Sequence, residues 1–142
     1  MGHIGAADAE FSRTFALLFL KRCAEPASPM IDHVRPSQLP QWLQRHAYPG
    51  PAVLLDVREP WELQTACVQE TGFELVRIPM GELAARVAEL DPHQPVACLC
   101  HHGARSLRVA AFLDGNGFVH VANITGGIHA WSAEHDTSVP TY

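Results

Sequence analysis

The chain has 142 residues, long enough for one domain with a real core, and no second domain is expected on length alone. Apolar residues make up 47% and charged residues 18%, with a net charge of -5 at pH 7, so nothing recommends a nucleic-acid or acidic-membrane surface, and the expected partner is small or proteinaceous. Cys23, Cys67, Cys98 and Cys100, in a chain this rich in core-forming residues and with no clear secretory leader, read as reduced thiols of a cytoplasmic protein rather than a disulfide frame.

Residues 1–29 read as an extension outside the fold. The apolar run from Phe15 to Leu20 is far too short to span a bilayer, and Lys21-Arg22-Cys23-Ala24-Glu25-Pro26 follows it where a signal peptide would carry small residues. A loosely docked helical extension is the preferred reading over a signal or membrane-surface helix. Composition changes abruptly between Pro26 and Met30, and translation beginning at Met30 would encode the patterned part alone. Residues 30–142 are expected to form the domain and to carry the function.

From there, apolar runs of strand length alternate with segments of helical period. Pro36 to Ala47 places Leu39, Trp42 and Leu43 at helical spacing and ends at Pro49-Gly50-Pro51. Val53 to Val57 predicts a buried strand, Pro60 to Cys67 a helix opened by its proline, and Glu74 to Pro79 another strand. Gly81 to Leu90 predicts a helix with Leu83, Val87 and Leu90 on one face, closed by Asp91-Pro92. Pro95 to Cys100 is a short continuous apolar run, Arg105 to Leu113 a helix ended by Gly115-Asn116-Gly117, His120 to Ile124 a strand, and Ile128 to Glu134 a last short helix. Continuous apolar runs fit strands buried on both faces of a parallel sheet, and repeated β-α units imply right-handed crossovers in a three-layer α/β domain.

In such a sheet ligands bind outside the carboxyl ends of the strands, and Cys100 is read as the last residue of one. Gly103 gives the backbone freedom for a tight loop, so N–H groups from His101, His102, Gly103, Ala104, Arg105 and Ser106 can turn inward as an anion-binding nest around the sulfur. The helix N-terminus, Arg105 and any protonated fraction of His101 or His102 favour a charged sulfur, which predicts a Cys100 pKa below the free-thiol value of about 8.5. A thiolate so placed suits sulfur or phosphoryl chemistry.

Cys100-x-x-Gly103-x-Arg105-Ser106 resembles the active-site loop of the rhodanese, or thiosulfate sulfurtransferase, homology domain. Asp56-Val57-Arg58-Glu59-Pro60-Trp61-Glu62, Ile78-Pro79-x-x-Glu82-Leu83 and Thr125-Gly126-Gly127-Ile128-x-Ala130-Trp131 resemble three further landmarks of that family, in the same order, so the likeness covers nearly all of residues 30–135. The resemblance implies a five-stranded parallel sheet flanked by helices, with the loop after the fourth strand. It also implies double displacement. Cys100 takes the outer sulfur of thiosulfate or another small anionic donor and then passes it to cyanide, a cellular thiol or a protein acceptor, with no metal and no organic cofactor. A monomer or weak homodimer is expected.

Departures and alternatives narrow this reading. The family usually has Gly-His-Ile after its Asp-Val-Arg element, whereas this chain has Thr65-Ala66-Cys67-Val68, so Cys67 is either a relay thiol or, as preferred here, a small buried apolar residue. Phosphatases and arsenate reductases of related fold carry one more residue between cysteine and arginine, which argues against phosphoryl transfer here. A non-catalytic sulfur-carrier or docking module is the other alternative, disfavoured because Cys100 is present. Cys98, Cys100, His101 and His102 invite a zinc reading, but adjacent histidines can hardly close a tetrahedron with the two thiols, and no metal is expected. Cys98 is read as core and the two histidines as lining the pocket mouth. Asp56 and Arg58 are read as bracing the floor of the site, with Arg58 and Glu62 spaced for an ion pair, and Arg105 as either a direct anion ligand or an anchor paired with Glu62 or Glu59. Trp42 is read as core, and Trp61 and Trp131 as core or rim.

Overall fold

The computed structural model describes residues 30–46 and 50–142, so the expectations for residues 1–29, Cys23 included, and for Ala47 lie outside the described residues. Five strands form one parallel sheet: β1 (Ile31–Val34), β2 (Ala52–Asp56), β3 (Phe73–Arg77), β4 (Val96–Leu99) and β5 (Val121–Ile124), in the spatial order β1-β5-β4-β2-β3. Every residue of β2, β4 and β5 is buried, as continuous apolar runs require when both faces are covered.

The helices are α1 (Leu39–Arg45), α2 (Pro60–Thr65), α3 (Leu83–Arg86), α4 (Ala104–Gly115) and α5 (Gly127–Glu134). Alternation along the strands divides the core in two. Leu54, Ala97, Leu99 and Ile124 pack with Leu39 and Trp42 of α1 and with Ile128 and Trp131 of α5. Val53, Leu55, Val96, Cys98 and Val121 pack with Leu83 of α3 and with Val109, Ala110 and Leu113 of α4. The result is the three-layer α/β arrangement anticipated from the alternating pattern. Trp42 and Trp131 are buried as expected, whereas Trp61 is 63% exposed.

Several boundaries depart from the sequence reading. β1 was not among the strands read from the residues, because Ile31-Asp32-His33-Val34 is a half-exposed edge strand without an apolar run; it completes the five strands that the resemblance implied. The first predicted helix is a 3-10 turn, Pro36–Gln38, running into α1. The predicted Gly81–Leu90 helix is a single α turn between 3-10 turns at Met80–Glu82 and Val87–Glu89, consistent with the weak helix preference of glycine and valine, yet Leu83 and Leu90 still reach the core. α2 stops at Thr65, and Ala66 is extended. β4 stops at Leu99, so Cys100 is the first residue beyond the strand rather than its last. No helix of the described residues is long and apolar enough to cross a membrane.

Candidate active site

The end of β4 delivers Cys100 into a short loop that closes at Gly103 and becomes α4 at Ala104. Gly103 has φ +107°, a left-handed conformation suited to glycine, and an added Cβ would stand 3.2 Å from the backbone nitrogen of Gly126. Its N–H donates to Cys100 Sγ at 3.0 Å, and Ser106 Oγ lies 3.2 Å from the same sulfur. Cys100 itself is 1% exposed. Of the expected run of inward amides, that of Gly103 is the one in hydrogen-bond contact with the sulfur. The first turn of α4 adds amides that no intrahelical carbonyl can satisfy, and a partial positive charge.

The opposite side of the loop is held by α5. Ile128 N–H donates to the Cys100 carbonyl at 2.8 Å and His129 N–H to the His101 carbonyl at 3.1 Å. Gly127, at φ +61°, makes this approach possible: a Cβ there would fall on the carbonyls of Cys100 and His101, 2.5 Å from the former. The Gly126-Gly127 pair is therefore the seat of the loop.

Arg105 is an anchor in this geometry. Its guanidinium makes a bidentate pair with the Glu62 carboxylate at 2.7 and 2.8 Å, and Glu62 also accepts from the Glu59 N–H and the Tyr142 hydroxyl, each at 2.9 Å. The Arg105 hydrogen bonds, outweighing burial, hold the Glu62 carboxyl down to about 2. The expected Arg58–Glu62 ion pair does not form. Arg58 instead takes Asp56 at 2.9 and 2.7 Å, both residues buried, and its third nitrogen reaches the carbonyls of Ala66 at 2.8 Å and Glu62 at 3.3 Å. Two residues of separation bring Asp56 within reach before the helix starts, while Glu62 is already drawn to Arg105.

The histidines and Tyr142 stand beside the loop. His101 is half-buried between the rings of His102 and Tyr142, stacked at 3.9 Å from each, and His102 is exposed. Burial lowers the His101 pKa, which diminishes the protonated fraction expected there. Cys67 is exposed, which corrects the expectation of a small buried residue: Ala66 and Val68 point inward from this extended segment, and the residue between them faces out. Cys98 is fully buried as expected, and burial pushes its thiol pKa up. A surface cavity of about 410 Å³ between Leu39, Leu43 and Phe73 touches none of the loop residues.

Three residues of this neighbourhood were missed in the sequence. Asn123 Oδ1 lies 2.6 Å from Ser106 Oγ, and its Nδ2 donates to the Gly103 carbonyl at 3.3 Å. A lone amide within the apolar run Val121–Ile124 was the available signal, since a buried polar side chain needs a partner. His129 occupies the unspecified position between Ile128 and Ala130, where the family likeness rests on its neighbours. Tyr142 carried no local signal; its hydroxyl bonds to Glu62 and Arg58 span the length of the domain.

A family model described as a rhodanese-like domain matches residues 39–134. The chain is 36% identical over 132 residues to rhodanese-like/PpiC domain-containing protein 12, chloroplastic, of Arabidopsis thaliana, an alignment covering 92% of this chain and 43% of that protein, so this chain spans less than half of the plant relative. It is 32% identical over 89 residues to a sulfurtransferase of Allochromatium vinosum, covering 63% of this chain and 79% of that one. Among solved structures, the 30 kDa polysulfide-sulfur transferase homodimer from Wolinella succinogenes superposes with a TM-score of 0.59 at 26% identity, over 89% of this chain and 87% of the other.

Proposed function

The chain belongs to the rhodanese-like family, and from that premise we propose that it is a sulfurtransferase that carries sulfane sulfur on Cys100. Relatives named as sulfurtransferases support sulfur transfer in general. The observation that carries the finer reading is the pair of donors on one sulfur: the Gly103 N–H and the Ser106 hydroxyl meet Cys100 Sγ inside a loop with four residues between the cysteine and Arg105. Such a cradle stabilises negative charge on sulfur, and a loop one residue shorter than that of the phosphatases of related fold suits a single added sulfur atom better than a phosphoryl group.

In the proposed cycle the Cys100 thiolate attacks the outer sulfur of thiosulfate. A new S–S bond forms to Cys100, the bond within thiosulfate breaks, and sulfite leaves with its electron pair. An acceptor thiolate, or cyanide, then attacks the terminal sulfur and the Cys100 thiolate departs with the electrons of the persulfide bond. No proton need be supplied in either displacement, and neither step calls on a metal or organic cofactor. Arg105 contributes by holding the start of α4 against Glu62, while Asp56 and Arg58 brace the floor below. The donor is a small anion or persulfide, the acceptor a thiol or protein, and a reducing compartment such as the cytoplasm keeps Cys100 available.

Incubation with thiosulfate followed by intact mass measurement tests this reading. The expected result is a gain of one sulfur atom that cyanide or a thiol removes and that Cys100→Ser abolishes. No gain, or a gain surviving Cys100→Ser, overturns it, and appreciable p-nitrophenyl phosphate hydrolysis would favour a phosphatase.

A further inference from the structure

Three histidines that this sulfur chemistry does not require converge beside the loop. His101 and His102 follow Cys100, and His129 lies in the first turn of α5, its N–H bonded to the His101 carbonyl. One ring nitrogen from each lies within 4.8 Å of the chosen nitrogens of the other two. The ring of His129 stands 5.2 Å from that of His102 and 6.4 Å from that of His101, centroid to centroid. Their proximity follows from the backbone bonds that seat the loop on α5.

A second, independent observation concerns His101. Its Nε2 is buried and has no hydrogen-bond partner among the described residues, a condition that disfavours the ring as it stands. We infer that His101, His102 and His129 form a site for a divalent first-row transition ion of borderline softness, with Zn²⁺ as its natural probe. Three imidazoles with a fourth position left to water or an exogenous group is a familiar zinc ligand count.

Binding requires movement. Zn–N bonds of about 2.0–2.1 Å put tetrahedral donors about 3.4 Å apart, closer than the present separation limit of 4.8 Å. His102 and His129 are exposed and can turn without disturbing the core, whereas His101 is held against Tyr142. His102 must therefore leave its stack on His101. Cys98 and Cys100 are not part of this set, since both belong to the buried core that faces α4, and His129 supplies a third donor from a separate helix.

Calorimetric titration of the untagged 142-residue chain with ZnCl₂, paired with optical titration by Co²⁺, tests the site whether or not Cys100 carries sulfur. The expected result is one ion per chain, bound at least about tenfold more weakly by His129→Ala and by His102→Ala and undiminished in Cys100→Ser. Co²⁺ is expected to give tetrahedral d–d bands without a sulfur-to-cobalt charge-transfer band. Absence of saturable binding, equal binding by a His129→Ala variant of unchanged thermal transition, or a sulfur-to-cobalt band lost in Cys100→Ser overturns the inference. If His129→Ala does not fold, His129→Gln takes its place under the same criteria.

Discussion

Ser106 has one hydroxyl proton and three acceptors around it: Asn123 Oδ1 at 2.6 Å, Cys100 Sγ at 3.2 Å and the Gly103 carbonyl at 3.2 Å. With Cys100 as a thiol, the proton can rest on Asn123. A Cys100 thiolate competes with Asn123 Oδ1 for it, and the amide can answer the hydroxyl oxygen with its NH₂ by turning over and giving up the Nδ2 bond to the Gly103 carbonyl. Asn123→Asp removes that option and keeps the hydroxyl turned away, so iodoacetamide alkylation of Cys100 should slow about tenfold or more, the worth of a hydrogen bond to a charged group, and by less in Asn123→Ala. Glu62 makes a second prediction. Its folded pKa of about 2 lies below the ordinary 4.5, so its contribution is complete above the ordinary value and is lost as pH falls from about 5 toward 2. Glu62→Gln should flatten that part of the acid-unfolding profile and lower stability at pH 7 by about 2–3 kcal/mol, the figure for breaking a buried pair reduced because Arg105 is 32% exposed. Denaturant unfolding at pH 7 and pH 3 measures both. At this scale Cys100, Gly103, Arg105 and Asp56 were readable because their spacing along the chain is itself the signal, whereas Asn123, His129 and Tyr142 reach the loop from distant segments that no local pattern connects.

The short elements do their work through where they begin. α5 starts on two glycines so that its first N–H groups meet the loop carbonyls, and a methyl group on Gly127 collides with backbone that cannot give way. Gly117 also has a left-handed φ, +85°, but its surroundings are open. Gly117→Ala should therefore cost about 1–2 kcal/mol of backbone strain and leave persulfide formation intact, while Gly127→Ala should cost clearly more and reduce the persulfide yield; thermal unfolding beside intact mass separates the two. The central strands were legible because continuous apolar runs bounded by turn residues allow little else. β1 was not, since its burial comes from pairing with β5 at the sheet edge rather than from its own composition. The α3 region shows the complementary failure: the apolar spacing of Leu83 and Leu90 was real, but it reports which residues face the core and not whether the backbone between them is α or 3-10.

At the scale of the molecule, the strand order puts β4 between β5 and β2, and the thiol emerges at the carboxyl end of that central strand. The general placement of ligands at that end points to the same position for the candidate site independently of the loop geometry. We propose that residues 30–142 constitute the folding unit. A chain beginning at Met30 should keep its thermal midpoint and its sulfur uptake, and a fall of more than about 4 °C would assign residues 1–29 a part in the fold. The bonds from α5 to the Cys100 and His101 carbonyls have a further effect. A trans peptide is a rigid dipole, so holding its oxygen end fixes the direction of the N–H at the other end. The two peptide units that follow the thiol are locked in orientation by a separate helix before any anion arrives. Gain and loss of a sulfur atom can then proceed with little dipolar reorganisation, the electrostatic condition under which a group is passed on as readily as it is taken up.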